Sequence, residues 1–100
     1  MDYRVVWSSK ALEDVEAIGL YISNDSPSYA GAVVKKMLDS TRTLSHFPFA
    51  GRIVPEFGDD SIREKFVYSY RVIYRIQEQT VTVAAVIHGR RILDLGPPLA

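Results

Sequence analysis

One hundred residues at 47% hydrophobic and 24% charged, with a formal net charge of zero, form a globular composition that excludes a disordered chain and predicts one domain with one core. The lack of cysteine excludes a disulfide framework and a thiolate metal site, and makes a reducing interior such as the cytoplasm the natural compartment. The apolar run after Met1-Asp-Tyr-Arg4 is too short for a signal-peptide core or a membrane span, so no membrane partner is expected.

Residues 3–8, Tyr3-Arg-Val-Val-Trp-Ser8, are rich in β-formers and predict a short strand, after which Ser8 or Ser9 can cap a helix. Leu12, Val15, Ile18 or Gly19, and Ile22 recur at helical spacing and define one apolar face. Gly19 inside that helix costs about 1 kcal/mol against alanine, which suggests a neighbouring backbone passing close. Asn24-Asp-Ser-Pro27 is the sharpest punctuation in the chain: Ser26 suits a cap and Pro27 the first helical position. The second helix carries the stripe Ala30, Val33, Val34, Met37, Leu38, Thr41 and Leu44. So short a connection makes the two helices an antiparallel hairpin.

Phe47-Pro-Phe-Ala-Gly51 ends the second helix, because the residue before a proline is pushed out of helical geometry. Residues 52–57 read as a short edge strand or an extended loop, given Pro55. Strands follow at 62–68, 70–76 and 81–87, joined by short polar segments that favour antiparallel hairpins. The expected fold is α+β: an N-terminal strand, an antiparallel two-helix hairpin, then a three- to four-stranded antiparallel sheet. The domain is expected over residues 1–93, with an irregular, mobile tail at 94–100. The helical hairpin covers one sheet face. Ala84 and Val86 alternate with Val83, Ala85 and Ile87, so neither face of the last strand is polar, and the outward face is expected to dock a partner. The competing reading is a sheet packed on both sides by the chain's own tail.

Phosphate loops, nucleophile elbows, dinucleotide fingerprints and zinc-binding helices are all absent from the sequence. His46 and His88 fall in different elements without metal-ligand spacing, so neither a metal nor a cofactor is expected. What stands out is charge. Between residues 61 and 91 lie six cations, Arg63, Lys65, Arg71, Arg75, Arg90 and Arg91, against Glu64 and Glu78. A neutral total argues against non-specific nucleic-acid binding, while a local basic face allows an anionic partner. Arg71 and Arg75, four apart on one strand, share a face and can hold an extended anion or an acidic helix. Arg63 and Lys65 repeat the arrangement on the neighbouring strand. Singly each is an ordinary solvated charge, and His88 reads first as a strand-end residue. Tyr68, Tyr70 and Tyr74 read as amphipathic sheet residues before they read as stacking platforms.

The run Tyr70-Arg-Val-Ile-Tyr-Arg-Ile76, followed by Val81 to His88-Gly-Arg-Arg91, resembles the RelE/ParE superfamily of toxins from type II toxin–antitoxin modules. Gly51-Arg-Ile-Val-Pro-Glu-Phe57 and Ile62-Arg-Glu64 are similar to the same family, and the resemblance covers residues 3 to 93. It implies a toxin held inactive by a cognate antitoxin, and two activities divide the superfamily. ParE-like members inhibit DNA gyrase. RelE-like members cut mRNA on the ribosome, and for that activity the matching positions are Arg63, Lys65, Arg71 and Arg91. Arginine is a poor base because it keeps its proton, which leaves Lys65 as base and Arg71 as charge stabiliser. The C-terminal tyrosine typical of the mRNA cutters has no counterpart in residues 94–100, and the basic balance usual for ribosome-directed members is missing. The resemblance therefore implies a ParE-like gyrase inhibitor with Arg71, Arg75, His88, Arg90 and Arg91 facing partners. A RelE-like nuclease and a non-toxic interaction module are the alternatives.

Overall fold

Ser8 and Ser26 set where the helices begin. In the computed structural model, which describes residues 2–90, Ser8 Oγ accepts from the Ala11 N–H at 3.0 Å at the start of α1 (Ser9–Ser23). Ser26 Oγ accepts from the Tyr29 N–H at 3.2 Å ahead of α2 (Pro27–Arg42). Each oxygen satisfies an amide that helix geometry leaves without a partner, contributing about 1 kcal/mol. α2 then tightens into a 3₁₀ turn at Thr43–Ser45. Arg91 and the expected tail at 94–100 lie outside the described residues.

Ala11 and Val15 of α1 and Val33 and Met37 of α2 pack on Val67, Val72, Val83 and Val86 of the sheet. The buried stripe is narrower than the spacing predicts: Leu12 is 54% exposed, because Ala11 points at the sheet in its place. A side chain rather than a backbone accounts for Gly19, where an added Cβ would lie 3.3 Å from Val34 Cγ2. Glycine is the residue that lets α1 and α2 approach at that point.

The sheet has five strands: β1 (Arg4–Trp7), β2 (Arg52–Ile53), β3 (Ile62–Val67), β4 (Tyr70–Gln77) and β5 (Thr80–His88), in the order β1-β5-β4-β3-β2. β3, β4 and β5 form the expected antiparallel meander, and β2 is a two-residue edge. β1 joins parallel to β5, so the sheet is mixed rather than purely antiparallel. Parallel neighbours need a long connection, and the intervening helices provide it. The β3–β4 and β4–β5 turns are two residues long, and each begins at positive φ, 54° at Tyr68 and 57° at Glu78. A side chain in that left-handed setting costs roughly 1–2 kcal/mol.

A register shift pairs Ile73 with Ala85 and Tyr74 with Val83, leaving Ala84 as an extra residue in β5. Val83 and Val86 therefore face the helices together, where plain alternation would put them on opposite faces. The other face is not open throughout, contrary to expectation. Val54 and the sheet residues Ile62 and Ile73 are fully buried together, with Phe57 and Ile87 against them. The chain leaving β2 folds back over the sheet because burying each such side chain stabilises by about 1.5–3 kcal/mol. Residues 54–57 thus cover part of the face that the alternation marked for a partner. Among the described residues no helix is long and apolar enough to cross a membrane.

Candidate functional site

The two-residue turn between β3 and β4 sets Phe66 opposite Arg71 and Glu64 opposite Ile73. Glu64 and Arg71 are thereby diagonal neighbours on the face away from the helices. Arg71 is only 4% exposed. Its Nε donates to Glu64 Oε1 at 2.6 Å, while Nη1 and Nη2 donate to the two Glu56 oxygens at 2.8 and 2.9 Å. Glu64 Oε2 accepts in turn from Arg52 Nε at 2.5 Å. A planar guanidinium suits this two-sided grip, and the fully buried Glu64 carboxylate is matched by cations on both sides. The hydrogen bond to Glu56 first, and Glu64 after it, hold the Arg71 proton more tightly than in a free arginine, against the opposing effect of burial. Arg52 and Glu56 flank Val54, so the cluster pins the 52–57 segment onto the sheet.

Arg75 does share a face with Arg71, as the spacing predicts, but it stands opposite Ile62, with the buried Ile73 between the two arginines. The pair does not bracket an open anion site, because Glu56 and Glu64 already engage the Arg71 donors. Arg63 and Lys65 are on the opposite face, since each is one residue from Glu64 along a strand. Lys65 Nζ donates to Ser40 O at 3.1 Å and Thr43 Oγ1 at 3.2 Å at the end of α2. Burial, then the nearby charge of Lys36, lowers its pKa below the usual lysine value. The Arg63 side chain is 14% exposed, lies 4.8 Å over the Phe49 ring, and donates to Gly51 O at 3.0 Å and Asp60 Oδ1 at 2.6 Å. Each of these cations holds a loop or a helix end in place.

Tyr74, fully buried, completes that scaffold. Its hydroxyl donates to Pro48 O at 2.8 Å and accepts from the Gly51 N–H at 2.9 Å. Burial raises the phenol pKa above its ordinary value. A Cβ on Gly51 would run into Glu64 O and sit 2.6 Å from the Tyr74 hydroxyl, so only glycine fits. The run from Gly51 to Phe57 is therefore a clip: glycine for close approach, Arg52 and Glu56 for the ion cluster, Val54 and Phe57 for the cover.

The end of β5 is different in character. His88 is exposed, its ring edge-on to Tyr70 at 5.6 Å, and its Nδ1 accepts from the Arg90 N–H at 3.2 Å. The Gly89 N–H donates to Ser69 O at 2.6 Å, and a Cβ there would stand 2.9 Å from the same oxygen. This contact sets Arg90 beside the β3–β4 turn. No cluster of three potential metal ligands occurs among the described residues. Of the predicted partner-facing cations, the described structure places Arg90 beside His88, encloses Arg71, one rung along the sheet, between Glu56 and Glu64, and sets Arg75 further along β4; Arg91 lies outside the described residues. Glu56 and Glu64 were the partners the charge pattern failed to reveal. Glu64 becomes a diagonal neighbour of Arg71 only with the turn at 68–69, one residue earlier than the strand pattern ends.

Strand, helical hairpin and antiparallel meander in this order define the α+β fold of small toxins from toxin–antitoxin pairs. The ParDE structure from P. aeruginosa superposes with a TM-score of 0.71 over 86% of this chain and 95% of that one at 17% identity. The RelBE2 toxin–antitoxin complex from Mycobacterium tuberculosis gives 0.59 over 88% and 92% at 23% identity. The archaeal RelE-RelB complex from Pyrococcus horikoshii gives 0.62 over 92% and 100% at 14%. At such identities these likenesses concern the fold. A Sinorhizobium fredii protein, Y4kP, is 35% identical over 49 residues, so the match spans about half of each chain, 49% of this one and 51% of that one. The family model for the ParE toxin of the type II toxin–antitoxin system parDE matches residues 5–93, and the chain belongs to that family.

Proposed function

We propose that this toxin acts in the cytoplasm by binding DNA gyrase and trapping its cleaved-DNA state, without bond-breaking chemistry of its own, and that a cognate antitoxin neutralises it. The toxin–antitoxin complexes among its structural relatives support the antitoxin partner. The observation that carries the binding mode is where the cations sit. RNA cleavage needs a base, a charge stabiliser and an acid converging on one phosphate. Here Arg71 is enclosed by the carboxylates of Glu56 and Glu64. Lys65 lies across the sheet from it, on the end of α2. Arg63 is engaged by Gly51 and Asp60. These cations support a scaffold, and a scaffold suits a protein that works by docking. The domain of residues 1–93 is the unit that carries this activity.

The test is a supercoiling and cleavage assay with purified gyrase. Micromolar toxin is expected to block supercoiling and accumulate linear plasmid. No effect on gyrase, together with A-site-specific cuts in mRNA from a translating extract, overturns the proposal.

A further inference from the structure

The turn joining β3 and β4 carries side chains that the fold does not require there. Tyr68 holds φ at 54°, a setting glycine takes most easily. Its ring returns little burial: the residue is 55% exposed and meets Tyr29 edge-on at 6.1 Å. Phe66, two residues earlier, is 53% exposed. A large aromatic held in a strained turn and offered to solvent is the pattern of a recognition side chain, since strain without packing gain concentrates at functional sites. Ser69, His88, Gly89 and Arg90 join the two rings around a shallow depression of about 370 Å³. The Gly89 contact with Ser69 O holds Arg90 on its rim.

Charge and ring geometry select the partner. The lining includes the exposed cation Arg90 and no carboxylate. Arg52 lies 5.2 Å over one face of Phe66 and is already paired with Glu64. A nucleic-acid strand needs several cations along its backbone and open ring faces for stacking. Among the described lining residues Arg90 is the one arginine or lysine, too few to track a phosphate backbone, and the chain's net charge is zero. An apolar side chain set beside a carboxylate, on a protein surface, matches two exposed rings beside one guanidinium.

We infer that the turn end formed by Phe66, Tyr68 and Arg90 is the surface that engages the toxin's target, and that it takes a protein surface presenting an apolar side chain next to a carboxylate. This rests on the reading above that the toxin acts by binding, and it says which part of the molecule does so.

Tyr68→Gly and Arg90→Glu test it. Glycine removes the ring and fits the backbone, so that variant should melt within about 5 °C of the parent chain. Arg90→Glu is an exposed change that leaves the core untouched. Each is expected to lose tenfold or more in affinity for purified gyrase and in growth arrest when expressed without antitoxin. Folded variants that arrest growth at full strength overturn the inference. So does tight binding of a single-stranded oligo-dT that depends on Tyr68, which would make the partner a nucleic acid. If the parent chain leaves gyrase untouched while its growth arrest still depends on Tyr68 and Arg90, the docking surface stands and the gyrase reading fails.

Discussion

Arg71 and Arg90 belong to the same basic segment and meet opposite fates. Arg71 is 4% exposed, gripped by Glu56 and Glu64 where the 52–57 segment crosses the sheet. Arg90 is exposed on the rim of the β3–β4 turn, beside Phe66 and Tyr68. One region uses charge to close the fold and the other presents charge outward. A cation on a strand therefore says little about function until its own chain's carboxylates have been located. In a buried setting they decide whether it can meet a ligand at all.

The comparison breaks first if the Arg71 cluster is dispensable. Arg71→Ala leaves buried Glu64 and its neighbour Glu56 without their shared guanidinium, so a loss of about 3–5 kcal/mol is expected in urea unfolding. Gly51→Ala is expected to lose about 1–3 kcal/mol, because the added carbon meets Glu64 O and the Tyr74 hydroxyl. Tyr74→Phe removes the acceptor for the Gly51 N–H and is expected to lose about 1–2 kcal/mol at neutral pH. The same residue gives a pH signature. Its folded pKa lies above the ordinary phenol value of 10.0, so its contribution is complete below about pH 10 and declines as pH rises from there towards the folded value. Denaturation curves across alkaline pH should show this decline in the parent chain and a shallower one in Tyr74→Phe.

Much of the fold was legible in the chain. Ser8, Ser26 and Pro27 mark helix starts with a mechanism, and the β-branched runs at 62–68, 70–76 and 81–87 mark the meander, although the turns themselves fall at 68–69 and 78–79. The parallel partnership of β1 with β5 was not legible, since it joins residues more than seventy positions apart and leaves no local pattern. Nor was the bulge at Ala84, where alternation alone misassigns the faces of β5. The site divided in the same way. The shared face of Arg71 and Arg75 follows from spacing, whereas the burial of Arg71 depends on a loop whose path over Ile62 and Ile73 is set by tertiary packing. Arg63 and Lys65 looked like a second pair of displayed charges, yet one-residue offsets from Glu64 send them to the helix side. His88-Gly89-Arg90 was visible as a motif, but only the close approach of Gly89 to Ser69 shows what the glycine is for.

Lys65→Met is the most direct test of the claim that Arg63, Lys65 and Arg71 serve the fold and do no chemistry. The substitution removes a partly desolvated ammonium, and Ser40 O keeps a hydrogen bond from Thr43 Oγ1, so the protein should remain folded. Growth arrest by the variant, measured at matched expression without antitoxin, is expected to stay within about twofold of the parent chain. Loss of a general base diminishes a rate by roughly 10²–10⁴-fold, and a loss of that size in a folded Lys65→Met protein would contradict the account.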